Sequence, residues 1–256
     1  MKIEKIEKKG NKYNIIIDGN VITTFDNVIL ENNLLYKKDI DVELYNKIIK
    51  DTIYYDSYNK VVKYILKRRR SEKEIKKYLL KLEVNESDID KIIIKLKEIN
   101  LINDTQYCKA FINDKINLSK YGINKIKIEL IEQDIPIDVI EEELDNIDIN
   151  VLNTRLEKLI LKKINSNRKY SKKHLGQKIL NEMINLGYNK EIILNILDEN
   201  LKDDKSIIEK EFEKIYIKLS KKYSGKDLNI KVKQNLLLKN FNIEDINNLL
   251  QRKTEK

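Results

Sequence analysis

In 256 residues the chain has one cysteine, one proline, one histidine, six glycines and no tryptophan. The lone Cys108 excludes an internal disulfide and fits a reducing compartment. Its neighbours Tyr107 and Phe111 fall on the same helical stretch, so it reads as a small core residue rather than a nucleophile. With His174 alone, metal sites and acid–base schemes built on several imidazoles are ruled out. His174 lies in a basic stretch at a helix start and reads as exposed and structural. No phosphate-binding loop exists, because Gly225-Lys226 lacks the earlier glycine and the preceding strand. Neither a Gly-x-Ser-x-Gly elbow nor a dinucleotide fingerprint occurs. Glu141, Glu142 and Glu143 lack metal-ligand spacing and read as a solvated helix face. Together these absences predict a non-enzyme with no metal and no cofactor. No apolar run approaches the roughly 20 residues of a membrane span, and Met1-Lys2-Ile3-Glu4 begins no signal peptide. A cytoplasmic protein without a membrane partner is expected.

What the chain does have is a unit of about fifty residues repeated four times. Val84, Ile135, Tyr188 and Phe241 form one column, in steps of 51, 53 and 53 residues. Nine residues earlier stand Ile75, Ile126, Ile179 and Val232; five earlier stand Leu79, Leu130, Met183 and Leu236. Five later come Ile89, Ile140, Ile193 and Ile246, and nine later Ile93, Leu144, Leu197 and Leu250. Offsets of four, a break, then four describe two amphipathic helices joined by a short turn. The predicted fold is mainly α: tandem three-helix repeats forming an elongated curved solenoid.

Local signals agree with this register. Ser71-Glu72-Lys73-Glu74 is a capping box, and Asn103-Asp104-Thr105-Gln106 is a second capping pattern. Pro136 sits where a helix begins, Gly187 where one ends, and Asn240 at the matching place in the last unit. Each unit opens with a further helix; in the first it runs from Tyr58 to Lys67, after a separate helical stretch from Asp41 to Ile53. The start of the chain is different. Lys12–Asp18 and Val21–Phe25 flank Gly19-Asn20 as a β-hairpin, with Ile3–Glu7 as a candidate third strand. The expected organisation is a hairpin-plus-helix segment over 1–55, then repeats over 56–102, 103–149, 150–201 and 202–256.

The charge is +9 overall and segregated. From Lys67 to Lys77 there are seven basic residues against two acidic; from Arg155 to Lys178, nine against one. Between Glu129 and Asp148 nine acidic residues occur with no Lys or Arg. The basic clusters precede the middle helix of their units, where cations oppose the helix macrodipole, so local helix stability does not explain them. They are therefore candidates for a binding stripe: Lys67, Arg68, Arg69, Arg70 and Lys73 in the first unit, Lys120 and Lys125 in the second, Arg168, Lys169, Lys172 and Lys173 in the third. Such a stripe suits an acidic protein groove or direct contact with DNA phosphates.

Several of these residues carry a resemblance. Val61–Leu66 followed by Arg68, Arg70, Ser71, Glu74 and Ile75 resembles the first-repeat signature of the RecX family, regulators of the RecA recombinase. Leu101-Ile102-Asn103-Asp104 and Tyr107 are similar to that family's second motif, with Cys108 replacing its alanine. Tyr121-Gly122 with Ile126, Leu130 and Ile135 resembles the next helix pair, although Asp134 stands where glycine is usual. Leu186-Gly187-Tyr188 resembles the turn of the third repeat. The resemblance covers about Ser57 to Leu201. It implies a cytoplasmic protein that lies in the groove of the RecA–DNA filament and modulates, usually inhibits, strand exchange and ATP hydrolysis without chemistry of its own; a monomer is expected.

Overall fold

The computed structural model of the chain describes residues 1–202 and 205–254. It opens with a three-stranded antiparallel sheet in the order β1-β2-β3: β1 Ile3–Lys9, β2 Lys12–Ile17 and β3 Asn20–Thr24. The expected hairpin is present. Ile17 pairs with Asn20 across Asp18 and Gly19, both at positive φ (46° and 78°), the backbone a tight two-residue hairpin turn needs. The third strand, β1, runs two residues beyond its expected end.

β-alternation puts Ile15 and Ile17 on one face, and both are fully buried. Against that face close α1 (Asp26–Glu31), a 3-10 turn (Leu34–Tyr36) and the start of α2 (Val42–Ile65), with Val28, Leu34 and Ile48 fully buried. A three-residue or six-residue helix has no readable period, which is why neither α1 nor the 3-10 turn was expected. α2 is one continuous helix where two were expected. Between Ile53 and Tyr58 there is no glycine or proline. The hydroxyls of Thr52 and Ser57 bond back to the carbonyls of Ile48 and Ile53 (2.7 and 2.9 Å), so these polar residues are absorbed into the helix.

The remaining helices are α3 (Glu72–Lys81), α4 (Glu86–Glu98), α5 (Asp104–Leu118), α6 (Ile123–Ile131), α7 (Ile137–Asp145) and α8 (Ile149–Asn165). They continue as α9 (Lys172–Asn185), α10 (Lys190–Asn200), α11 (Lys205–Ser220), α12 (Gly225–Leu238) and α13 (Ile243–Thr254). Two compact units result. The first holds Met1–Phe111 with Leu130–Glu143, the second Ile112–Glu129 with Leu144–Lys256.

All the column residues are buried, none more than 9% exposed, and the three at the centre of the register, Leu79, Leu130 and Leu236, are fully buried with Met183. The turn after each middle helix is built alike. Glu83, Asp134, Gly187 and Asn240 have φ of 59°, 60°, 88° and 57°. The N–H groups of Val84, Ile135, Tyr188 and Phe241 then donate to the carbonyls of Leu79, Leu130, Met183 and Leu236 at 3.2, 3.3, 3.1 and 3.2 Å. This is a Schellman turn made four times, which satisfies carbonyls the helix end would otherwise orphan.

Candidate partner-binding surface

In the first unit the basic segment between α2 and α3 is organised by one carboxylate. Ser71 caps α3: its Oγ accepts from the Glu74 N–H at 3.1 Å, and the Glu74 carboxylate accepts from the Ser71 N–H at 3.2 Å. Having closed this capping box, Glu74 also receives Arg68 on both oxygens (2.5 and 3.2 Å) and Arg70 at 3.3 Å. Burial works against its charge, yet the Arg68 and Ser71 hydrogen bonds hold the Glu74 carboxyl below the usual carboxylate range. The Arg70 guanidinium lies 3.8 Å from the Tyr64 ring centroid, and Tyr64 stacks on Tyr78 at 4.3 Å. With its side chain 12% exposed, Arg70 is part of the packing rather than a free cation. Arg69 donates to the Gln106 side chain. Lys73 Nζ donates to the Glu132 carbonyl at 2.9 Å and to Asp134 at 3.1 Å. Lys67 is exposed.

In the second unit the segment between α8 and α9 has the same length of cap but a different third residue. Ser171 caps α9, accepting from the N–H of His174 at 3.2 Å. Counted from the capping serine, His174 holds the third position that Glu74 holds in α3, so no carboxylate there gathers the cations. Arg168 instead donates to the carbonyls of Asn165 and Asn167 at the end of α8 (2.8 and 2.7 Å), where a cation suits the macrodipole. Lys169, Lys172 and Lys173 are exposed. Tyr170 stacks on His174 at 4.7 Å with 5° between the rings, and the ammonium groups of Lys169 and Lys178 lie 4.8 and 4.6 Å from its centroid. Hydrogen bonding to Lys169 and then Lys178 lowers the pKa of the Tyr170 phenol. His174 is thus half-buried rather than exposed. Lys120 is exposed; Lys125 is half-buried, its backbone against Gly187.

Successive middle helices meet head to tail. At the start of α3, Ser71 Oγ donates to Gln133 at 2.9 Å and Lys73 reaches Glu132 and Asp134, all at the end of α6. At the start of α6, the N–H groups of Gly122 and Asn124 donate to the carbonyls of Leu186 and Gly187 after α9 (2.7 and 3.1 Å). At the start of α9, Ser171 Oγ donates to the Lys239 carbonyl after α12 at 2.9 Å. Each helix start therefore faces a neighbour's negative C-terminal end. For Lys73 this supplies a structural reason for a cation at a helix N-terminus.

Two other sequence readings change. Glu143 is 6% exposed and pairs with Lys109 at 3.4 Å, so it is not part of a solvated face; Glu141 and Glu142 are exposed. Cys108 is fully buried as expected, and burial, with Glu143 and Asp104 adding to it, pushes its thiol pKa up to about 11. Among the described residues no group of three or more His, Cys, Asp or Glu could hold a metal ion, and no helix is long and apolar enough to cross a membrane.

The architecture is thus a helical repeat protein of three-helix units behind a small β-sheet. Comparison with known proteins gives the family. The first three-helix domain of RecX matches residues 58–96, and the second matches residues 103–144. "Regulatory protein RecX" of Streptococcus sanguinis is 30% identical over 189 residues, 72% of each chain. That of Streptococcus agalactiae serotype III is 30% identical over 195 residues, 73% of this chain and 74% of its own. A crystal structure of regulatory protein RecX shares the fold with a TM-score of 0.69 and 24% identity, covering 77% of this chain and 98% of that one. The structure of RecX from Lactobacillus salivarius aligns with a TM-score of 0.52 and 26% identity over 57% of this chain and 96% of its own. The chain belongs to the RecX family of regulatory proteins.

Proposed function

We propose that this chain is a non-enzymatic cytoplasmic regulator that binds the RecA–DNA filament as a monomer and inhibits its recombinase and ATPase activities in DNA repair. The observation that carries the reading is the pair of basic junctions, before α3 and before α9, in a chain of a regulatory family. Lys67, Arg68, Arg69 and Lys73 in the first repeat, with Arg168, Lys169, Lys172 and Lys173 in the third, are the proposed partner contacts, joined by Lys120 and Lys125 in the second. Arg70 supports this surface from within. The segment over 1–55 and the four repeats over 56–102, 103–149, 150–201 and 202–256 serve as successive modules, so affinity is spread over several weak contacts.

The test is ATP hydrolysis by RecA coated on single-stranded DNA. Adding the chain is expected to lower the steady-state rate. Reversing Lys67, Arg69 and Lys73 to Glu is expected to weaken that effect with the helical circular dichroism retained, and added salt is expected to reproduce part of the loss. An unchanged ATPase rate at saturating protein and low salt refutes the regulator reading.

A further inference from the structure

Tyr170 stands between two clefts of the second unit and lines both. The larger, about 870 Å³, is bordered by Arg168, Lys172, Lys173, Lys202 and Lys205, with Asp245 its one carboxylate among the described residues. The smaller, about 450 Å³, is bordered by Lys163, Arg168, Lys169, Lys178 and Lys214; its carboxylates Glu182 and Glu211 are engaged by Lys163 and Lys214. Among the described residues no carboxylate pairs with Arg168, Lys169, Lys172 or Lys173. The loop before α3 is closed by Glu74, three places after its capping serine, whereas the residue three places after the α9 cap is His174, stacked flat on Tyr170. One junction holds Arg68 and Arg70 on its own carboxylate. The other leaves its cations open around an aromatic ring.

We propose that this region holds single-stranded nucleic acid, one base stacked on the Tyr170 ring and the flanking phosphates seated in the two clefts on Arg168, Lys169, Lys172 and Lys173. His174 backs the ring and fixes its plane. The ammonium groups of Lys169 and Lys178 occupy the ring's surroundings in the free protein. An exposed cation–π contact is weaker than a base stack, so a base displaces them, and the displaced ammonium groups gain phosphate partners. A duplex keeps its bases paired and stacked on one another, so none is free to stack on the Tyr170 ring, and the site selects single strands. An acidic peptide satisfies the cations but offers no planar partner for Tyr170. This inference deepens the reading of the basic junctions as a partner surface and assigns the third-repeat junction to nucleic acid.

The experiment uses the full chain and a fluorescein-labelled oligo(dT) of about 20 nucleotides, without RecA, followed by anisotropy across a salt series. Tyr170→Ala is expected to weaken binding by roughly five-fold or more while leaving the salt slope unchanged, because stacking carries no counterion release. Tyr170→Phe, which keeps the ring, is expected to stay within about two-fold of the parent, since stacking tolerates any π-face. Lys172→Glu with Lys173→Glu is expected to lower both affinity and slope. Circular dichroism confirms that each variant is folded. Oligo(dT) binding indifferent to Tyr170→Ala, equal loss in the Phe and Ala variants, or equal competition by duplex overturns the proposal. So does absence of oligo(dT) binding by the parent at low salt, including the case where Tyr170→Ala impairs action on RecA, which then makes this a protein contact. Because RecA is absent from the binding assay, oligo(dT) binding with no effect on RecA ATPase sinks the regulator reading alone.

Discussion

Gly122→Ala should be among the most damaging small changes in this chain. Gly122 has ordinary backbone angles, so an alanine there meets no conformational penalty. The obstacle is the neighbouring helix end. A Cβ at Gly122 would lie 2.6 Å from the Gly187 carbonyl oxygen, 2.7 Å from its carbon and 2.8 Å from the Tyr188 nitrogen, all backbone atoms that no rotamer change can move. Reaching ordinary contact needs a separation of about 0.8 Å more. That displacement breaks or stretches the Gly122 N–H bond to the Leu186 carbonyl and the Asn124 N–H bond to Gly187, now 2.7 and 3.1 Å. Overpacking costs about 1–3 kcal/mol and each lost hydrogen bond about 1 kcal/mol. The sum, about 3–5 kcal/mol, is a large part of the stability of a typical domain. In a chain of this size it corresponds to a fall in Tm of about 6–20 °C, read by circular dichroism at the helical minimum. A matched control is Gly176→Ala within α9, where the nearest atom is a Leu201 side-chain methyl at 3.2 Å. That methyl can yield, so the better helix propensity of alanine offsets the crowding and Tm should move little. A Gly122→Ala melt that coincides with the parent refutes the head-to-tail contact between α6 and α9.

The remaining expectations are simpler. Leu130→Asp places a charge at a fully buried position between helices and should destabilise the first unit by several kcal/mol, or abolish its folding, in urea titrations. Arg70→Ala should lower Tm through loss of the Tyr64 stack and the Glu74 pair, whereas Arg69→Glu should leave Tm within a degree or two of the parent; the reverse order would mean the two arginines are misassigned. The depressed Glu74 pKa contributes stability that is present above the unfolded value near 4.5 and is lost as pH falls through the folded value, so Glu74→Gln should flatten the acid limb of a stability–pH profile below about pH 5. With a thiol pKa near 11 and no exposure, native Cys108 should resist alkylation at pH 8 and react at the rate of a free thiol once urea unfolds the chain.

What could be read from sequence was whatever is written locally. The capping box at Ser71 and Glu74, the helix stop at Gly187 and the apolar columns all depend on residues a few positions apart, where spacing translates directly into geometry. Asp134 and Asn240 even take glycine's conformation at equivalent turns, at φ 60° and 57°. With Glu83 at φ 59°, three residue types other than glycine serve there, because the requirement is a tolerated left-handed backbone. Gly187 is different. A Cβ there would fall 2.3 Å from the Lys125 nitrogen, and nothing near Gly187 in sequence announces Lys125. The same holds for Glu143, whose helical neighbours Glu141 and Glu142 are exposed while it turns inward to Lys109. The continuity of α2 was hidden for another reason: Ser57, between the two expected helices, is absorbed by bonding its hydroxyl to the Ile53 carbonyl one turn back.

The candidate surface was legible as charge and illegible as availability. Counting Lys and Arg before α3 and before α9 treats all of those cations alike, but their partners divide them. Arg68 and Arg70 share Glu74, Lys73 answers the negative end of α6, and only Lys67 and the Gln106-bonded Arg69 complete that cluster without a carboxylate. Before α9 the replacement of a glutamate by His174 removes the internal counter-charge, and Arg168 spends its donors on backbone carbonyls that remain compatible with a phosphate nearby. An anionic partner approaching the first junction must compete with Glu74 for Arg68, whereas at the second junction, among the described residues, it meets cations that no carboxylate holds. Ion pairs at the surface are weak and desolvation of an already paired guanidinium is costly. The two junctions therefore differ in the availability of their cations as well as in their number, and the difference in availability turns on the residue three places after each capping serine.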